Sequence, residues 1–217
     1  FSSQSAGRIL KVGLLFFVLQ VAATVGYRSD NIIIARMLGA EMVTHYAIPI
    51  RLFSIVSTIL GFVLTPLWPA YGESIARGDV EWIKNMLKKS LLLSMAVSVP
   101  IVLVLVTFGV QILYLWVGPE VIPSTRLLLG FGLWTLLSSL GGPLAMFLNG
   151  LEAMKFQAAC ATFMAIANII LSITLVRSIG LPGIIVSTII AQIVFILIPS
   201  AVYIPRLLAS VQSQRIE

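Results

Sequence analysis

The sequence predicts an all-α polytopic membrane protein, a bundle of six transmembrane helices. Three observations carry this reading. Of 217 residues, 59% are hydrophobic and only 10% charged, with a mean hydropathy of +1.07; a soluble domain carries about 25% charged residues. Six segments each hold roughly the 20 apolar residues that a helix needs to cross a bilayer. Runs such as LLLSMAVSVPIVLVLV do not alternate apolar with polar, as the strands of a membrane barrel do.

The six spans are placed at about 9–37, 42–69, 90–117, 124–148, 156–176 and 182–204. The first is long: a straight helix over 9–37 measures about 43 Å, more than a bilayer core of about 30 Å. Either it runs embedded to residue 37, or it stops near Tyr27 and leaves Arg28-Ser29-Asp30-Asn31 outside. Gly39, in the short turn Leu38–Met42, reads as a helix stop. Pro100, Gly141–Pro143 and Pro199 are helix-breaking signals inside the third, fourth and sixth spans.

Between the second and third spans lies the one long cytoplasmic connection, ESIARGDVEWIKNMLKKS. Asp79 is placed to cap a helix near 79–89. Val80, Ile83 and Leu87 then share one face, with Glu81, Lys84 and Lys88 on the other. This is an amphipathic helix. Either it lies at the interface with its basic face on anionic headgroups of membrane lipids, or it is a solvated connection that sets topology.

Lys and Arg set the orientation. Arg8, Lys11, Arg77, Lys84, Lys88, Lys89, Lys155, Arg206 and Arg215 fall on one side, nine residues against three (Arg36, Arg126, Arg177) on the other. The positive-inside rule puts both termini in the cytoplasm, in a multi-pass protein of the cytoplasmic membrane. The same rule accounts for the formal charge of +6, so no nucleic-acid partner is expected. The chain starts at Phe1 rather than Met and reads as a piece of a longer one.

Enzyme chemistry is not expected. The chain holds no phosphate-binding loop, HExxH, GxSxG or paired-cysteine motif. With one Cys160 and one His45 there is no basis for a disulfide or a histidine metal cage. No catalytic residue, metal ligand or cofactor is assigned.

The functional candidates are the polar groups within the spans, where an ionisable side chain costs about 2.5–3.5 kcal/mol. Gln20, Thr24, Tyr27 and Asn31 repeat at helical spacing and form one stripe, bordered by Arg28 and Asp30. A second seam runs through Arg51, Ser54, Thr58, Gly61 and Thr65. Asp30 and Arg51 lie equally far from the centre of the Leu38–Met42 turn, at roughly 16 Å depth for a rise of about 1.5 Å per residue. Asp30 therefore either pairs with Arg51 across the hairpin or faces a cavity. Arg28, Asp30, Arg51, Gln20, Thr24, Tyr27 and Asn31 are the candidate substrate-binding or cavity-lining residues.

The stretch from Asp30 to Ser54, followed by Thr65 to Ser90, resembles the second half of a polysaccharide flippase of the Wzx type. These O-antigen and oligosaccharide flippases belong to the superfamily that also holds multidrug and toxin extruders. The resemblance rests on Asp30, Leu38-Gly39, Tyr46, Arg51, Pro66, Pro69-Ala70-Tyr71 and Gly78-Asp79. It implies one six-helix bundle of a two-bundle transporter. It also implies alternating-access export of an undecaprenyl-type lipid-linked oligosaccharide, with sodium or a proton as coupling cation. On that view Arg28 and Arg51 attract the anionic diphosphate or acidic sugars, and Asp30 is a coupling or gating carboxylate. A multidrug exporter of the same superfamily and a non-catalytic structural subunit are the alternatives.

Overall fold

The computed structural model describes residues 3–213, with some side chains of the first helix and the end of the last outside the description. Its elements are α1 (Ser3–Met37), α2 (Ala40–Leu64), α3 (Leu67–Ala76), α4 (Val80–Val117), α5 (Thr125–Gly150), α6 (Met154–Ile179), α7 (Pro182–Gln192), a π-helical turn (Ile193–Leu197) and α8 (Ile198–Ser213). Among the described residues there is no strand. Among the described residues five stretches are long and apolar enough to cross a membrane: Ala40–Ala76, Val80–Val117, Thr125–Gly150, Met154–Ile179 and Pro182–Ala209. The protein is an all-α polytopic membrane bundle.

The long first segment is one helix through Met37, so the Arg28–Asn31 stretch is helical and not an outside loop. Gly39 then takes φ 101°, a conformation that side chains strain to adopt, and α2 begins at Ala40. The stretch expected to cross unbroken as 42–69 instead divides into α2 and α3. The Thr65 hydroxyl donates to the Gly61 carbonyl at 2.6 Å, and Pro66 has no N–H to continue the ladder. Pro100 and Pro143 are carried inside continuous helices. Pro199 follows the π-helical turn Ile193–Leu197; a proline ring in a regular α-helix would crowd the carbonyl four residues back, and a wider turn relieves that.

The segment near 79–89 is not a separate helix. It forms the first turns of α4, whose 38 residues span about 57 Å, nearly twice a bilayer core. The expected apolar face is real, but Val80, Ile83 and Leu87 are buried, the latter two with Tyr71, Phe147 and Ile204. That face meets protein rather than lipid, because α3 and the ends of α5 and α8 cover it. Asp79 caps the helix as expected, accepting from the Trp82 N–H at 3.0 Å. Asp79→Ala is expected to cost about 1 kcal/mol, read as a lower thermal midpoint of the detergent-solubilised protein, while Asp79→Ser holds near wild type.

The connections alternate between two ends. At one end α1 meets α2, α4 meets α5 and α6 meets α7, over a core of Ile34, Phe53, Leu113, Phe131 and Ile184. At the other end Tyr71, Ile83, Phe147 and Ile204 form a second core. Laterally α1 packs mainly on α6, α4 on α5, and α6 on α7. That arrangement brings the middle of α1 against α6, with α7 beside them.

Candidate functional site

Asp30 lies where α1 meets α6, and it is 2% exposed. Gly26, one turn earlier, lets the helices approach: an added Cβ there would stand 3.4 Å from the Ala165 Cβ. The amide of Asn168 on α6 fills the space beside it. Its Nδ2 donates to Asp30 Oδ1 at 3.1 Å and to the Gly26 carbonyl at 2.8 Å. From α2 the Tyr46 hydroxyl donates to Asp30 Oδ2 at 3.3 Å, and from α7 the Thr188 hydroxyl reaches the same oxygen at 3.4 Å.

The network continues behind Asn168. Its Oδ1 is approached by the hydroxyls of Thr188 and Ser187, each at 3.2 Å, and of Ser172 at 3.5 Å. Ser172 and Ser187 share a hydrogen bond at 2.5 Å. Thr188 has one proton and three acceptors within reach: Asp30 Oδ2, Asn168 Oδ1 and the Ile184 carbonyl at 3.1 Å. Acceptors therefore outnumber protons around Thr188. One turn beyond, Gln192 exchanges hydrogen bonds with Ser138 of α5 at 3.2–3.3 Å.

Among the described residues each partner of Asp30 is neutral. A buried carboxylate without a counter-charge is costly, and the surrounding oxygens offer a remedy. Asp30, Asn168 and Thr188 present the hard-oxygen set that takes a proton or a small monovalent cation. Among the described residues no three His, Cys, Asp or Glu side chains gather as a transition-metal site would require.

The candidate residues from the sequence separate here. Asp30 turns into the bundle and does not pair with Arg51, which is exposed on α2. Equal depth permits contact, but facing decides it: Tyr46, not Arg51, is on the side of α2 that meets α1. Gln20, Thr24 and Asn31 are exposed on the outer face of α1. The side chains of Tyr27 and Arg28 lie outside the described residues. Sequence reasoning named Tyr46 only within the family resemblance, and it missed Asn168, Ser172, Ser187 and Thr188. Asn168 and Ser172 stand one turn apart in the middle of an apolar span, and that spacing is the signal that could have found them.

The MatE family model matches residues 16–174. The chain belongs to the MatE family. It is a multi-pass membrane transporter, of a family whose members are transporters rather than catalysts. No curated protein and no solved structure matches the chain. The matched region of this MatE protein contains Asp30, Tyr46, Asn168 and Ser172; Ser187 and Thr188 on α7 lie beyond it. The polar network thus joins the matched helices of the MatE transporter to the helix that follows them.

Proposed function

We propose that this MatE chain is one six-helix bundle of a cation-coupled transporter that flips a lipid-linked oligosaccharide across the cytoplasmic membrane by alternating access. In this reading α1 is the first of the six spans, both termini are cytoplasmic, and a second bundle stands across a central cavity. The observation that carries it is an exposed polar face on otherwise apolar spans. Arg51, Ser54, Ser57, Thr58 and Thr65 lie exposed along α2, and Gln20, Thr24 and Asn31 along α1. Arginine facing lipid costs about 2.5–3.5 kcal/mol, so such a face belongs against water.

The roles then divide. Arg51 attracts the diphosphate or an acidic sugar from within the cavity, while the hydroxyl groups beside it suit a polyol. Asp30, Asn168 and Thr188 hold the coupling cation inside the bundle, away from the substrate. Occupancy there shifts the packing of α1 and α7 on α6, and that packing sets which side the cavity opens to. An exposed arginine on the cavity wall disfavours cationic drugs as substrates.

The test is a paired phenotype. Loss of the gene is expected to remove surface polysaccharide and to leave susceptibility to cationic drugs unchanged. Arg51→Ala is expected to lower surface polysaccharide about tenfold, as loss of one charge-assisted contact does, at normal membrane abundance, and Arg51→Lys to retain most of it. Intact polysaccharide together with raised drug susceptibility overturns the proposal in favour of multidrug export.

A further inference from the structure

A second polar feature lies apart from the Asp30 network. Between α2 and α5 is a pocket of about 110 Å³ that opens on the exposed face of α2. Its size admits several water molecules. The hydroxyls of Ser57, Thr65, Ser138 and Ser139 line it, and Gly61 leaves room between them. A Cβ added at Gly61 would meet nothing within 4 Å, so that glycine borders open space rather than a packed neighbour.

Three of these four hydroxyls spend their protons on the protein, and among the described residues only Ser57 keeps its own free. Thr65 donates its proton to the Gly61 carbonyl at 2.6 Å, and Ser139 donates to the Leu136 carbonyl at 2.7 Å. Ser138 is engaged with Gln192 at 3.2–3.3 Å. With these protons spent on the protein, the lone pairs of Thr65 and Ser139 remain as acceptors. An acceptor-rich pocket repels phosphate. With no carboxylate in its lining it offers a cation no counter-charge. A neutral ligand rich in hydroxyl donors fits, and Leu60 and Leu64 supply an apolar side for its C–H face.

We infer that this pocket is a subsite for one uncharged sugar ring of the transported substrate. The inference rests on the oligosaccharide reading above and adds to it where the first sugar sits. The position is informative: Ser138 in the wall bonds Gln192, and Gln192 follows Thr188 by one turn of α7. A ring seated in the pocket bears on the helix that carries part of the cation site.

Two probes test it with the purified full-length protein: undecaprenyl diphosphate alone, and the same carrier bearing one uncharged hexose. The wild type is expected to bind the glycosylated carrier about tenfold more tightly, the worth of one or two net hydrogen bonds. Gly61→Leu fills the pocket without displacing backbone. It is expected to bring the two affinities together while binding of the bare carrier stays within about twofold, inside experimental scatter. Ser57→Leu, at the exposed mouth, is the second variant and is expected to act the same way. Equal preference for the hexose in the wild type and in a folded variant overturns the subsite and leaves the flippase reading standing. So does a wild type that binds both carriers alike. A wild type that binds neither carrier overturns the flippase reading and the subsite with it.

Discussion

Asp30→Asn is expected to reduce cation-driven export about a hundredfold, near the upper end of coupling free energies between two sites. The carboxylate sits 2% exposed with donors from Tyr46, Asn168 and Thr188 and no charged partner among them. The substitution keeps the size of the side chain and one of its oxygens, and it removes the charge that a proton or sodium ion would neutralise. With no counter-charge among the described residues, replacing the buried carboxylate by a neutral group of the same shape removes a desolvation cost, so membrane abundance and thermal midpoint are expected to hold or rise. Substrate exchange between compartments without a cation gradient should continue, since the substrate face on α2 is untouched. Driven export at the wild-type rate by a stable Asp30→Asn protein would remove the cation role from this site. Comparing sodium with proton gradients in the wild type then identifies the ion.

Local chemistry was legible in the sequence. Asp79 caps α4 and Gly39 sits in the turn that ends the first helix, as residue type alone predicts. The helical class followed from runs that no strand period fits. What the sequence left open was rotation. Asp30 and Asn31 are neighbours in the chain, yet about 100° apart around a helix of 3.6 residues per turn. That difference puts one inside the bundle and the other outside. Depth along the membrane can be counted from a turn, and it made Arg51 one possible partner of Asp30. The facing of two helices depends on every contact between them, and here it selects Tyr46. Asn168 and Thr188 lie 138 and 158 residues from Asp30, and no local pattern joins them. The same blindness affects α4. Its amphipathic start was visible, but whether its apolar face meets lipid or protein depends on α3, α5 and α8.

Gly183→Ala is expected to destabilise the bundle by about 3 kcal/mol, the upper range for overpacking a close contact. A Cβ at this position would stand 2.6 Å from both the carbonyl carbon and oxygen of Leu175, and 2.9 Å from the Val176 nitrogen. These are backbone atoms, so no rotamer change relieves the clash and α7 must move away from α6. For a protein of this size the thermal midpoint should fall by roughly 6–12 °C. The site should fail with it, because the Ser172–Ser187 bond at 2.5 Å and the reach of Thr188 to Asn168 at 3.2 Å both cross that same contact. Stabilisation of the protein by the coupling cation is therefore expected to disappear in this variant even below its lowered midpoint. Gly61→Ala is the matched control: nothing lies within 4 Å of its added Cβ, and alanine is favoured over glycine in a helix by about 1 kcal/mol. A second substitution, Leu175→Ala, should give no rescue of Gly183→Ala, since the obstructing atoms are main chain. Rescue by it, or a Gly183→Ala protein with unchanged midpoint and cation response, would show that α7 does not depend on this approach for its place beside Asn168.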